Sequence, residues 1–433
     1  MIKMKAHSKT KIGRKAWLTI AFLFTVSIIN VADKAIIGLA SVPIMKELDL
    51  SPSQWGIVGS SFFWLFSISA LLIGALSDKV GTKRVITSIT TVWSIVQFAT
   101  IFSMNLPYLV LTRIILGAGE GPTYALSMAM AAKSVPREKV GLTLTIVSIG
   151  NTVGAAIAAP VLIFFIFNYG WRSGFIFLGI VGSIWTILWI LIVKQPEVEQ
   201  KQTSKVKNKN SNWSEVLPKL FSCNFIFISL CAFASYWFFS IELAWFPNYF
   251  EEARGINGTM LQLAIMIPWI ITTLSQFTFS TISDWLYAKT QDIVRSRVFI
   301  VGPLILAAAV FYFLATTVKS NTLAVTFLTL GVALRSIIMV LGPAILTSMF
   351  PKQHYGKAQG SYTAIYYLAG IIAPYVTGVI IQNASTTIVG FHQAFNLGAT
   401  FLFVSGILFW IWVRPQDQNK PNVHLTDKEV VNK

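Results

Sequence analysis

Stretches of about 20 predominantly apolar residues recur along the whole chain, and no other feature limits the possible folds as strongly. A run of that length crosses the hydrocarbon core of a bilayer as one helix. Twelve such runs can be drawn, approximately at residues 17–39, 55–76, 85–103, 108–132, 141–166, 172–193, 222–246, 259–280, 298–317, 322–349, 358–382 and 390–413. The sequence therefore predicts an all-α membrane protein with twelve transmembrane helices.

The composition agrees with a lipid environment. Of the 433 residues, 55% are apolar and 12% are charged, and this charged share is about half that of an ordinary soluble domain. The net charge of +17 does not indicate a nucleic-acid partner, because the Lys and Arg residues lie in short gaps between apolar runs. A nucleic-acid reader needs them on one solvated face with aromatic residues between them.

A polar, lysine-rich segment divides the twelve runs into two sets of six. The predicted units are a cytoplasmic basic tail (1–16), an N-terminal six-helix bundle (17–193), a cytoplasmic linker (194–221), a C-terminal six-helix bundle (222–413) and a cytoplasmic tail (414–433). Of the 34 Lys and Arg residues, 27 fall in the tails, the linker and alternate loops. The positive-inside rule therefore predicts that both termini are cytoplasmic.

Six ionisable residues fall inside predicted membrane helices, and they are the first candidates for function because a charge at that depth is costly. They are Asp33, Lys34, Arg113, Glu120, Glu242 and Arg335. All four histidines lie in tails, a loop or a helix edge, and no His and carboxylate cluster has metal-ligand spacing. No enzymatic site and no metal or other cofactor is expected. A phosphate-binding glycine loop is absent as well, so the expected energy source is an ion gradient.

Arg113 and Glu120 are seven residues apart, which places them on nearly the same helix face, about 10 Å apart along the axis. We expect both to face one cavity. An incoming carboxylate would compete for Arg113, and the released Glu120 would then take a proton. The alternative is a permanent ion pair that locks two helices.

Asp33 and Lys34 point about 100° apart on a helix, so only one of them can face a pore squarely. Asn30 lies one turn before Lys34 on the same stripe. Lys34 is predicted to contact substrate, with snorkelling toward the membrane surface as the alternative. Asp33 is predicted to be a second proton-coupling group beside Glu120.

Polar residues in the second half extend this candidate site. Arg335 is predicted either to contact the anion or to pair with Glu242, and Glu242 is expected to act at a gate or at the surface. Asn151 is a candidate substrate ligand or an ordinary interhelical hydrogen-bonding residue. Tyr366 and Tyr367 are predicted to line the cavity.

A short motif after the second helix recurs at the matching place in the second half. The first copy spans Gly74, Asp78, Gly81, Lys83 and Arg84, and the weaker second copy is centred on Asp284. Glycines let helix ends approach closely, while the aspartate can pair with basic residues of a neighbouring loop. These residues are predicted to form a conformational gating loop.

This motif, repeated in two six-helix halves, resembles the signature of the major facilitator superfamily, and Arg113-Ile114-Ile115-Leu116-Gly117 resembles a second motif of the superfamily. The resemblance implies two pseudo-symmetric bundles that rock about a central site. A closer likeness, to the anion:cation symporter family, rests on Asn30-Val31-Ala32-Asp33-Lys34, Arg113–Glu120, Trp245-Phe246-Pro247-Asn248-Tyr249 and the glycines of 360–378. In that family the matching acids resemble proton-coupling groups, and the matching cations resemble carboxylate contacts.

The expected function is therefore proton-coupled uptake of a small organic anion, such as a sugar acid or another carboxylate, by a monomer in the plasma (inner) membrane. The family commonly has Arg at Lys34 and polar residues at Phe66, Ala70 and Thr363, so an anion with more apolar surface is also expected. The alternatives are an organic-anion exchanger or exporter and a non-transporting membrane sensor.

Overall fold

The computed structural model describes residues 12–136, 139–194, 213–351 and 354–415. Most of the two predicted tails and residues 195–212 of the predicted linker lie outside these ranges. The described part of the linker is not extended throughout, because it contains the short helix Trp213–Leu220.

The described chain is built from helices. In the first half they are α1 Arg14–Leu39, α2 Ser41–Glu47, α3 Pro52–Trp64, α4 Phe66–Val80, α5 Thr82–Thr100, α6 Leu106–Glu120, α7 Thr123–Lys133, α8 Val140–Tyr169 and α9 Trp171–Ile192. In the second half they are α10 Trp213–Leu220, α11 Cys223–Asn248, α12 Gly258–Thr290, α13 Phe299–Thr317, α14 Asn321–Arg335, α15 Ile337–Met349, α16 Tyr355–Asn383 and α17 Thr387–Trp412. Two π-helical turns, Tyr249–Ala253 and Val294–Val298, follow α11 and precede α13.

Within the described residues, ten spans are long and apolar enough to cross a membrane by themselves. The other two predicted spans are also helical but differ in character. Helix α5 is rich in Ser and Thr, and the fourth span is divided into α6 and α7 at Gly121-Pro122. Proline supplies no backbone N–H, so the helical hydrogen-bond ladder is interrupted there. The all-α fold with twelve membrane helices is confirmed.

The two halves repeat the same order of spans, including a divided fourth span in each. In the first half α6 ends at Glu120, and in the second half α14 ends at Arg335, just before Ser336 and α15. Both α6 and α14 are 15 residues long. An ionisable side chain therefore ends the first segment of the fourth span in each bundle.

The bundles meet along a seam at one end of the molecule. We call the end where α1 begins the terminal side, and the end where α1 finishes the opposite side. On the opposite side a Cβ on Gly56 of α3 would lie 2.6 Å from the Pro374 carbonyl oxygen of α16, and one on Gly38 of α1 would clash with the Leu243 carbonyl of α11. These glycines allow the two backbones to touch.

Polar contacts also join the bundles across this seam. The Trp55 indole N–H donates to the Ala244 carbonyl over 3.2 Å, and both residues are buried. Lys46 on α2 forms an ion pair of 2.7 Å with Glu252 in the second half. The seam is therefore closed in this structure, and any opening toward the opposite side has to break these contacts.

The repeated motif lies mainly on helices and not in loops, which corrects the sequence interpretation. Gly74 and the backbone of Asp78 belong to α4, and Asp284 belongs to α12, which continues ten residues beyond the predicted end at residue 280, to Thr290. The sharp turn is confined to Gly81, whose φ of 96° favours glycine. Apolar length alone underestimates a helix whose last turns are polar and solvated.

Candidate functional site

A cavity of about 280 Å³ lies between the two bundles, bounded by α1 and α8 on one side and by α11 and α12 on the other. Its wall includes Lys34, Asn151, Phe239, Trp269 and Gln276. Lys34 is the one ionisable residue among the described residues that line it. We call this 280 Å³ space the central cavity. It lies where substrate sites of two-bundle transporters are expected.

Lys34 begins a chain of polar contacts that leads from this cavity into the first bundle. Its Nζ donates to Asn30 Oδ1 over 2.5 Å, and Asn30 Nδ2 donates to Glu120 Oε2 over 3.0 Å. Lys34 Nζ also lies 3.7 Å from Glu120 Oε2. The Lys34 side chain is 20% exposed, whereas that of Glu120 is fully buried. A ligand in the cavity can reach the cation and cannot reach the carboxylate directly.

The carboxylate of Glu120 is only partly satisfied. Its second oxygen, Oε1, is buried and accepts no hydrogen bond within the described structure. An ionised carboxylate in a dry interior is unfavourable unless its oxygens are matched. Loss of the Lys34 contact would leave Glu120 in an environment that favours its protonated form.

Asp33 belongs to a separate contact. Its Oδ1 accepts from Gln97 Nε2 of α5 over 2.6 Å, while its Oδ2 is buried without a partner. Asp33 points away from the central cavity, as expected for a residue about 100° from Lys34 on the same helix. Sequence reasoning missed Gln97, although a glutamine in the middle of an apolar run is a visible signal.

Neither Arg113 nor Glu120 lines the central cavity, which differs from the sequence expectation. The guanidinium lies over the Phe175 ring of α9, 5.5 Å from its centroid, and Nη2 donates a long hydrogen bond of 3.5 Å to Thr100 Oγ1 of α5. Arg113 is 1% exposed and its Nε is unmatched. The two residues share a helix face, but the long side chain of Arg113 extends between α5 and α9 toward the opposite side.

Arg335 is held by side chains of the second bundle and does not line the central cavity. Its Nη2 contacts Glu242 Oε2 over 2.5 Å, Nε donates to the Tyr312 hydroxyl over 3.0 Å, and Nη1 donates to the Ser235 carbonyl over 3.2 Å. Of the two expectations for Arg335, this structure shows the ion pair. Glu242 was expected at a gate or surface, and its side chain is in fact 7% exposed.

The remaining substrate candidates separate into two places. Asn151 lines the central cavity, and its amide also contacts the Ser148 carbonyl of its own helix over 3.5 Å. Tyr366 and Tyr367 belong to an aromatic cluster that joins the bundles, in which the Tyr367 ring lies 5.0 Å from that of Phe66. Lys34 Nζ lies 5.5 Å from the same Phe66 ring, so the cluster adjoins the cation without lining the central cavity.

The predicted gating residues lie on the terminal side. Lys83 Nζ donates to the Ile190 carbonyl at the end of α9 over 3.2 Å. Arg84 lies in the first turn of α5, and Asp284 is exposed on α12. The structure places these residues at helix ends near the terminal side, and it does not bring Asp284 together with the first copy of the motif in any described contact.

Nothing in the described residues resembles a metal centre, since no three of their His, Cys, Asp and Glu side chains are grouped as ligands would be. The site consists of a cation at a cavity wall, a buried carboxylate behind it and an aromatic surface beside it. Such an arrangement can bind an anion and exchange a proton, and it offers no nucleophile for covalent chemistry.

Comparison with known proteins agrees with the superfamily resemblance. Residues 23–291 and 286–429 match the family model described as Major Facilitator Superfamily. A hexuronate transporter of Bacillus subtilis is 27% identical over 402 residues, covering 92% of this chain and 94% of the relative. A protein named "Probable sulfoacetate transporter" from Cupriavidus necator is 25% identical over 403 residues, covering 88% and 90%.

Solved structures show the same fold at lower identity. A bacterial homologue of the human lysosomal transporter Spinster, in an inward-facing and unoccupied conformation, superposes with a TM-score of 0.75 at 16% identity, covering 93% of this chain and 97% of that one. The inward-open xylose transporter of E. coli gives a TM-score of 0.72 at 17% identity, covering 94% and 98%.

Proposed function

The chain belongs to the major facilitator superfamily, and on that premise we propose that it takes up a small organic anion together with protons by alternating access. It is a membrane transporter and not an enzyme. Its relatives in sequence include proteins named as transporters of hexuronate, sulfoacetate and galactarate or glucarate. All of these are organic anions, and an anion needs a cation at the site.

The observation that carries the proposal is the contact chain from Lys34 through Asn30 to Glu120. Lys34 is available to a ligand in the central cavity, while Glu120 is buried and has one unmatched oxygen. A carboxylate that binds Lys34 competes with Glu120 for the same ammonium group. Glu120 then becomes more stable as the neutral acid, so binding of the anion favours uptake of a proton.

Asp33 offers a second carboxylate for this coupling. It is 1% exposed, it has one unmatched oxygen, and it interacts electrostatically with both Arg113 and Lys34. Arg113 contributes a fixed positive charge within the first bundle. In this proposal the positive charge of Arg113 acts on Asp33 and Glu120 electrostatically, and Lys34 contacts the substrate.

The cavity favours a substrate with one principal negative charge. Phe239 and Trp269 form an aromatic wall, and Asn151 and Gln276 supply hydrogen-bonding groups. A volume of about 280 Å³ is just below the usual range for small-molecule sites, which favours a small substrate. A small carboxylate with both apolar and polar surface fits this lining.

We place the transporter in the cell membrane with the terminal side cytoplasmic, in agreement with the distribution of Lys and Arg. The closed seam then faces the exterior. Uptake requires the seam to open, the anion and proton to enter, and the seam to close again before release into the cytoplasm.

The test is uptake of labelled organic acids into proteoliposomes with and without an imposed proton gradient. We expect gradient-driven accumulation in the wild type. Glu120→Gln should retain exchange of internal for external anion and accumulate less than the wild type, because exchange needs no net proton movement. Lys34→Gln should lose both. Glu215→Gln, an exposed acid on the terminal side, is the matched control.

Accumulation equal to that of the wild type in Glu120→Gln would refute the assignment of this residue. Exchange by the wild type without gradient-driven accumulation would indicate an anion exchanger instead.

A further inference from the structure

The second bundle carries a charge-reversed counterpart of the Lys34–Glu120 pair. Glu120 is the last residue of the 15-residue helix α6, and Arg335 is the last residue of the 15-residue helix α14. Their partners, Lys34 and Glu242, lie about one and a half turns before the ends of α1 and α11. In both bundles an ion pair thus joins the first span to the break in the fourth, with the two signs exchanged.

The two pairs differ in how well their atoms are matched. In the first bundle Glu120 keeps an unmatched buried oxygen. In the second, Arg335 donates from three nitrogens to Glu242, Tyr312 and Ser235, and neither Arg335 nor Glu242 has an unmatched buried atom within the described structure. While the seam is closed, the Arg335–Glu242 pair is therefore the one whose polar atoms all have hydrogen-bond partners or solvent access.

Glu242 nevertheless lies at the boundary between the bundles. It lines a small cavity of about 30 Å³, enough for roughly one water molecule. Ala35, Leu243, Ile265 and Trp269 line both this cavity and the central cavity. These four side chains form a wall that the two cavities share.

The walls of the small cavity belong to both bundles, with Ala35 and Leu39 from α1 and Phe246 and Pro247 from α11. They line the same α1–α11 contact at which Gly38 touches Leu243. Opening the seam separates these walls and admits water to Glu242. Among the described carboxylates of the second bundle, Glu242 is the buried one.

We propose that Glu242 is a further proton-binding carboxylate of the transport cycle. It takes a proton from water on the opposite side when the seam opens, and it releases that proton toward the central cavity, and so to the terminal side, as its ion pair with Arg335 re-forms when the seam closes. The charged and titratable groups around it are Arg335 on α14 and Tyr312 on α13, while Lys34 on α1 lines the adjoining central cavity. The side chains of α12 at this cavity are not titratable. This inference rests on the proposed proton coupling and adds a second location for it.

The test measures limiting accumulation of the transported acid at a pH gradient of one unit with the membrane potential clamped at zero. Each coupled proton then contributes about tenfold to accumulation. We expect Glu242→Gln to exchange anion like the wild type and to accumulate it about tenfold less. Glu215→Gln serves as the control, with unchanged accumulation.

Because Glu242→Gln leaves a buried guanidinium without its partner, the double variant Glu242→Gln/Arg335→Gln is measured alongside. Exchange with about tenfold lower accumulation in every variant that still exchanges supports the proposal. Accumulation equal to wild type in a variant that exchanges overturns it, and so does loss of exchange in both variants, since the pair is then structural.

A wild type without gradient-driven accumulation refutes proton coupling as a whole. Reduced accumulation in Glu120→Gln together with full accumulation in Glu242→Gln refutes only the role of Glu242.

Discussion

We expect Trp55→Phe to shift the transporter toward the state in which the seam is open. The phenyl ring keeps most of the packing of the indole, but it cannot donate to the Ala244 carbonyl across the seam. This hydrogen bond joins the two bundles, so it exists only while the seam is closed. Its loss raises the free energy of the closed state and leaves the open state unchanged.

The size of the shift follows from the value of one buried hydrogen bond, which contributes about 0.5–1.5 kcal/mol net. The ratio of open to closed states should therefore rise about 2- to 13-fold, since 1.4 kcal/mol corresponds to a factor of ten. A carbonyl left unmatched in the closed seam would move the result toward the upper end of this range.

The assay is a distance measurement by pulsed electron paramagnetic resonance on the terminal side. Spin labels at Leu142→Cys and Ala288→Cys, in a background with Cys223 and Cys231 replaced, report the separation of the bundles. Trp185→Phe is the matched control, because its indole donates to Phe22 and Thr25 inside the first bundle.

Trp55→Phe should enlarge the population with a short distance on the terminal side, and Trp185→Phe should leave the distribution as in the wild type. A wild-type distance distribution in Trp55→Phe, or an equal shift by both substitutions, would show that the Trp55 hydrogen bond does not hold the seam closed.

The other predictions concern two further contacts of the seam and the contact between α2 and α9. Lys46→Gln removes an exposed ion pair between the bundles, worth up to about 1 kcal/mol, and should raise the open population at low salt but not at high salt; Lys319→Gln, an exposed cation on the same side, should have no effect at either. Gly56→Ala should disfavour the closed seam strongly because its new methyl group meets backbone of the other bundle, while Gly141→Ala, which has open space around it, should not. Hydrogen bonds from Arg172 and Trp171 of α9 lower the pKa of Glu47. The ionised Glu47 therefore stabilises the fold at a pH above the ordinary glutamate pKa, and this stabilisation is lost as the pH falls through the pKa of Glu47 in the folded protein. The melting temperature of Glu47→Gln should therefore lie below that of the wild type at neutral pH and approach it in acid below about pH 4; a gap that widens in acid would contradict this reasoning.

The positions of the spans could be predicted from the sequence because the bilayer sets a minimum apolar length. Their interruptions were harder to see. Pro122 marks one break in plain sight, but Ser336 carries no comparable signal, and its break emerges only from the packing of the second bundle. The polar ends of α4 and α12 could not be predicted either, because apolar length does not register the solvated last turns of a helix.

The contacts of the site could be predicted where they lie on one helix. Asn30 and Lys34 are four residues apart, so their side chains were expected on one stripe, and they form a hydrogen bond. Contacts between helices depend on how each helix is rotated and how a long side chain extends. The sequence therefore could not show that Glu120 pairs with Lys34 while Arg113 turns toward α5 and α9.

The divided fourth spans have a consequence for the mechanics of the molecule. Glu120 and Arg335 are the last residues of α6 and α14, directly before the break in each fourth span. A helix can bend at such a break without moving the rest of its bundle. Local bending can thus make or part an ion pair before the bundles swing as wholes. Bending within a bundle is therefore a motion separate from the rocking of the two bundles.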